Sequence, residues 1–138
     1  MTVPSGEAAS AQQRRRALAV DDVPEMRLLL RSAVGALGYD VTTAADGAEA
    51  IRLLEQGGPS FDIVLTDLNM PEANGIDVLR ALRTRHTSTC GILLTSFLPD
   101  DFTRQEAERL RAKILLKPFT LEQLRQLIAE GDPRSDPA

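Results

Sequence analysis

The sequence predicts an α/β fold, a doubly wound parallel sheet with helices on both faces. Two observations carry that reading. Five short apolar runs alternate with five helical patterns, as a chain of βα units with right-handed crossovers should. Four of the five runs are near-continuously apolar, which suits parallel strands covered on both faces.

The first run, "ALAV" at 17–20, leads into a helix over 24–37 in which Met26, Leu30, Ala33, Val34 and Leu37 share one face. Pro24 suits its first turn and Gly38 its stop. The second run, "YDVTTA" at 39–44, alternates and reads as an edge strand. A helix over 47–55 follows, burying Ala50, Ile51 and Leu54 and ending at "GGP". The third run, "DIVLT" at 62–66, precedes a helix over 75–85 that offers Ile76, Leu79 and Leu82. The fourth, "GILLT" at 91–95, precedes the most polar helix, 100–111, whose apolar members are Phe102, Ala107 and Leu110. The fifth, "KILL" at 113–116, precedes a helix over 120–130, opened by a capping box of Thr120 with Gln123 and turning Leu121, Leu124 and Ile128 inward.

The 138 residues fit one domain with a sizeable core. At 43% hydrophobic and 26% charged the chain is globular rather than disordered, and with 4% aromatics its core is aliphatic. The net charge of −4 provides no general attraction to nucleic acid or to an anionic membrane surface. No apolar run approaches the roughly 18 residues that span a bilayer, and the start of the chain lacks the apolar segment of a signal peptide. Residues 1–15 and 132–138 read as a flexible leader and tail around an ordered body over 16–131. The basic "RRR" at 14–16 reads as a solubilising lead-in. The single cysteine, Cys90, fits a reducing compartment, so a soluble cytoplasmic protein is expected.

Doubly wound sheets bind ligands at the carboxyl ends of their strands. Those ends carry Asp21 and Asp22 after the first strand, Asp67 after the third, Thr95 closing the fourth and Lys117 after the fifth. Three gathered carboxylates repel one another and raise their own pKa values, a conflict that a divalent cation resolves. Mg²⁺ takes oxygen ligands, one or two carboxylates with water and phosphate oxygens. Lys117 and Thr95 suit anionic oxygens, and an aspartate can act as a nucleophile toward phosphorus.

With these residues in view, the sequence resembles the receiver domain of two-component response regulators. The carrying motifs are "VDD" (20–22), "LTDLNMPEANGID" (65–77), "LLTS" (93–96) and "LLKPF" (115–119), in order over about residues 16 to 130. The resemblance implies a flavodoxin-like sheet of order 2-1-3-4-5. It implies Asp67 as phosphoacceptor, Asp22 and the carbonyl of Asn69 as direct Mg²⁺ ligands (or Mn²⁺ in its place), and Asp21 acting mostly through water. It also implies that Lys117 pairs with Asp67 and then with the phosphoryl group, that Thr95 moves toward that group, that Lys117-Pro118 is cis, and that Ser96 keeps the phosphate position open.

Two positions depart from the family. Ile114 stands three residues before the lysine where many receivers carry Tyr or Phe, which puts the usual aromatic readout in doubt. Phe97, two residues after Thr95, cannot hold a hydrolytic water by hydrogen bonding, so a long-lived aspartyl-phosphate is expected. Leu28 lies opposite Leu30 on the first helix and faces water beside the active rim, where kinase and phosphotransfer partners dock in this family. His86 sits in a loop on the opposite rim, and Cys90 reads as a core-edge residue.

The expected function is a stand-alone phosphorylation switch, not a turnover enzyme. Its partners are a histidine kinase or phosphotransfer protein and a downstream target met through segment 100–130, with dimerisation left open. A phosphorylation-independent binding module is one rival, and a Mg²⁺-dependent phosphohydrolase is another. The second normally needs an acid-base carboxylate where this chain has Asn69.

Overall fold

The structure is a computed structural model describing residues 15–56, 60–86 and 88–131. Its elements are β1 (Arg15–Val20), α1 (Pro24–Ala36), β2 (Tyr39–Ala44), α2 (Gly47–Glu55), β3 (Ile63–Asp67), α3 (Gly75–Arg85), β4 (Cys90–Thr95), α4 (Asp101–Arg109), β5 (Ala112–Leu116) and α5 (Leu121–Gly131). All five strands are parallel, in the order β2-β1-β3-β4-β5.

Side chains alternate across the strands, which divides the core into two layers. Leu18, Val20, Val64 and Leu93 pack with Ala50, Leu54, Leu79 and Leu82 on the face covered by α2 and α3. Ala17, Ala19, Ile63, Leu65, Ile92 and Leu94 pack with Leu30, Val34, Leu124 and Ile128 beneath α1 and α5. The helices start where local chemistry favours it. Pro24 opens α1 and Gly38, with φ of 100°, follows its end. Thr120 and Gln123 form the expected reciprocal bonds, 2.8 and 3.0 Å. A second capping box, Asn74 with Asp77, opens α3, and Asp46 caps α2.

Three expectations need correction, and the structure also places one apolar helix residue, Phe102, on the surface. Arg15, assigned to the leader, is the first residue of β1: it pairs with Tyr39 in the sheet and sets its guanidinium 4.7 Å over that ring. The run "KILL" reads as a strand covered on both faces, yet β5 lies at an edge and Leu116 is 40% exposed. Apolarity reports a strand's residues; only the sheet order says which neighbours cover it. Phe102 is exposed, because α4 rests on Ala107, and five helical steps place Phe102 about 140° round the axis from that contact. Leu121 is also exposed. It opens α5 and, with Leu29 and Phe119, lines a groove of roughly 270 Å³ between α1 and α5 instead of entering the core. The remaining leader and the tail over 132–138 lie outside the described residues.

Candidate functional site

Every strand ends on the same rim, and the acidic residues gather there. Asp21 follows β1 and is fully buried; Asp67 is the last residue of β3 and nearly so; Asp22 is exposed. One carboxylate oxygen from each lies within 4.8 Å of the others. Lys117, just past β5, donates to Asp67 Oδ1 at 2.8 Å and to Asp21 Oδ2 at 3.3 Å. Two of the three carboxylates therefore share one ammonium.

The two aspartates of the β1–α1 loop have different tasks. Asp21 is committed to the protein: Oδ1 accepts the Val23 amide at 2.9 Å, Oδ2 accepts Lys117, and its carbonyl accepts Arg27 Nη1 at 2.8 Å. Asp22 faces outward and has an oxygen to offer. Burial raises the pKa of Asp67, and the negative charges of Asp21 and Asp22 add to that, although its bond to Lys117 pulls the other way. Burial alone would lower the pKa of Lys117, but its bond to Asp67 and the charges of Asp21 and Asp67 together raise it. The donor set fits a hard divalent cation: it is all oxygen, it is anionic in excess of its lysine, and Asp22 is accessible.

Thr95 closes β4 with its hydroxyl turned into its own loop, donating to the Phe97 carbonyl at 3.0 Å and accepting the Phe97 amide at 3.3 Å. Lys117-Pro118 is cis, as expected. Asn69, Ser96 and Pro118 are exposed, Phe97 is 74% exposed, and Ile114 is half-buried against the α2–α3 layer. Leu28 is 68% exposed, on the solvent face the helical pattern assigned it. His86 is remote, its Nε2 3.2 Å from the Leu54 carbonyl, and Cys90 is a buried first residue of β4.

Sequence reasoning missed three contributors. Arg27 holds the Asp21 carbonyl, Thr66 Oγ1 donates to the Asp67 carbonyl at 3.0 Å, and Gly75 leaves room for that same carbonyl, 2.5 Å from where a Cβ would stand. Gly75 lay within a recognised motif. Thr66 lay there too but reads as a strand former like any other, and Arg27, a helix-surface cation, carries no local signal.

The sequence profile of the response regulator receiver domain matches residues 17–129. The chain belongs to the response regulator receiver family. It is 34% identical over 116 residues to the response regulator PilR of Pseudomonas aeruginosa, a match covering 84% of this chain but only 26% of that protein. It is 33% identical over 122 residues to a probable chemotaxis protein CheY of Rhizobium etli, covering 86% of this chain and 93% of that one. Among solved structures, chemotaxis protein CheY4 of Vibrio cholerae superposes with a TM-score of 0.76 at 30% identity, covering 86% and 98% of the two chains. The receiver domain of a Pseudomonas aeruginosa sensor histidine kinase, solved with magnesium in its active-site cleft, superposes with a TM-score of 0.74 at 26% identity, covering 86% and 97%. The relatives include response regulators and sensor kinases that carry receiver domains. Receiver domains are phosphoacceptor switches of two-component systems and generally not turnover enzymes. No helix among the described residues is long and apolar enough to cross a membrane.

Proposed function

We propose that this chain is a Mg²⁺-dependent phosphorylation switch in a two-component pathway or phosphorelay. The observation that carries the proposal is the placement of a buried Asp67 between Lys117 and the exposed Asp22 at the end of a parallel strand. Asp67 Oδ1 is held by Lys117, which leaves the second oxygen to attack phosphorus. An O–P bond forms, the P–N bond of the donor phosphohistidine breaks, and the imidazole leaves with its electron pair. The ammonium of Lys117 then turns to a phosphoryl oxygen, and Thr95 gives up its bond to the Phe97 carbonyl to meet another. Asp22, Asp67 and the Asn69 carbonyl would hold Mg²⁺, or Mn²⁺ in its place, with Asp21 reaching it through water because its own oxygens are engaged. The cation supplies charge neutralisation to the entering phosphoryl group.

Movement of Thr95 alters the β4–α4 loop, and α4 buries a single side chain, Ala107, so segment 100–130 is the readout surface for a downstream protein or a second copy. The half-buried Ile114 slides between packings there without an aromatic ring. Ser96 leaves the approach to Asp67 open. Exposed Leu28 belongs to the face met by the donor, so Leu28→Ser slows transfer from a cognate phosphohistidine protein several-fold with unchanged folding; transfer at the wild-type rate would sink that assignment. The setting is the cytoplasm, where phosphohistidine donors are made and Cys90 stays reduced.

Intact mass after incubation with Mg²⁺ and acetyl phosphate tests the central claim. The expected result is one phosphoryl adduct, dependent on Mg²⁺, absent in Asp67→Asn, and decaying faster in Phe97→Glu, where a carboxylate replaces the shielding ring. No adduct in a wild-type protein shown to bind Mg²⁺ would favour the phosphorylation-independent module. Multiple turnover of a phosphomonoester would favour a hydrolase.

A further inference from the structure

The short turn between β2 and α2 touches both arms of the acidic site. On one side, the Asp21 amide donates to the Ala44 carbonyl at 3.2 Å. On the other, Gly47, the buried first residue of α2, abuts the loop between β3 and α3. A Cβ at residue 47 would stand 2.3 Å from the Ala73 carbonyl oxygen and 2.8 Å from Ala73 Cβ. Those are backbone atoms and a methyl group fixed to the backbone, so no rotamer change relieves the overlap. The turn is itself braced: Asp46 Oδ1 accepts the Glu49 amide and Glu49 Oε1 accepts the Ala45 amide, both at 2.8 Å. Backbone conformation does not demand glycine here, because only Gly38 among the described glycines has a left-handed φ. What demands it is space.

We infer that Gly47 is a positioning residue for the cation site. It allows the Ala44–Gly47 turn to set the gap between the Asp21–Asp22 loop and the 68–74 loop that carries Asn69, and through that gap the affinity for Mg²⁺. The inference rests on the Mg²⁺ reading above. Mg²⁺ tolerates little departure from octahedral geometry, and a side chain at residue 47 would push the Ala73 carbonyl back by the best part of an ångström. The far end of the loop cannot absorb the shift freely, since Gly75 is packed against the Asp67 carbonyl and Leu93.

The test compares three glycine-to-alanine variants by metal-free amide chemical shifts and by Mg²⁺ calorimetry. Gly47→Ala should move the amides of 68–74 and weaken Mg²⁺ by about tenfold. Gly91→Ala presses on Leu79 in the core, at 2.9 Å, and should lower stability without changing Mg²⁺ affinity; Gly35→Ala meets nothing within 4 Å inside α1 and should raise stability slightly with Mg²⁺ affinity unchanged. Should Gly47→Ala not fold, Asp46→Ala with Glu49→Ala loosens the same turn from exposed positions, and the same two readouts apply. Unmoved 68–74 amides, or wild-type affinity in a variant whose loop has moved, overturn the inference. If wild type itself binds no Mg²⁺, the cation reading falls and the amide shifts alone decide whether Gly47 sets the loop.

Discussion

At the carboxyl-terminal rim of the sheet, Asp21, Asp22 and Asp67 gather and the first and last of them share Lys117; at the amino-terminal rim, Arg83, Arg111 and Lys113 gather around Thr89, Cys90 and Gly131. Both are clusters of like charge in a chain of modest net charge. In a parallel βα fold every helix finishes on the rim where strands begin, so the negative ends of the helix dipoles collect there. Arg83 answers them. Its guanidinium donates to the carbonyls of His86, which caps α3, and Leu110, which caps α4, at 3.0 and 2.7 Å, and also to those of Thr89 and Arg111 at 2.6 and 3.3 Å. Lys113 lies against Gly131, the last residue of α5. Arg83, at the centre of the basic cluster, is thus settled by the protein's own backbone. The acidic cluster is not: it holds more negative charge than its one lysine neutralises. The basic cluster is architecture, and the acidic cluster keeps an excess of negative charge at an accessible rim.

The contrast breaks most visibly at Arg83. Arg83→Met should lower unfolding stability by about 2–3 kcal/mol, measured by urea denaturation. Arg83→Lys should recover only part, since one ammonium cannot span four carbonyls. A loss within 0.5 kcal/mol, about the scale of an ordinary surface change, would show the rim does not depend on it.

The acidic rim should respond with the opposite sign. Because burial raises the pKa of Asp67, the folded chain holds that proton more tightly than the unfolded chain. The resulting stability is present at acid pH and is lost as pH rises through the unfolded and then the folded pKa. In metal-free buffer Asp67→Asn should therefore gain on wild type as pH rises above the ordinary carboxylate range, while accepting no phosphoryl group. A stability difference that is flat with pH would remove the charge argument. The smallest effect is expected for Lys113→Gln, roughly 0.3–1 kcal/mol at low ionic strength and less with added salt. An increase in stability there would mean that the basic cluster repels itself more than the helix ends attract it.

Much of this was legible from residue order. The ten elements follow periodicities of two and 3.6, which are local, and their observed bounds fall within two residues of those read from the pattern. Asp21, Asp22, Asp67, Thr95 and Lys117 were found because strand ends can be read from the sequence and parallel sheets align those ends. What escaped depended on residues far apart in the chain. The burial of β5 turns on its edge position, and the exposure of Phe102 and Leu121 on how α4 and α5 meet the sheet. The different tasks of Asp21 and Asp22 depend on Lys117, 96 residues from Asp21.

The sequence by itself determined the α/β architecture, the strand-end chemistry and the family, because each is written in short patterns that do not need the rest of the chain. Only the tertiary structure decided which aspartate is sequestered, that Arg83 stitches two helix ends together, and that Gly47 must lack a side chain. Those facts arise where segments distant in sequence meet at van der Waals and hydrogen-bond distance, and no periodicity records which backbone atom stands opposite which.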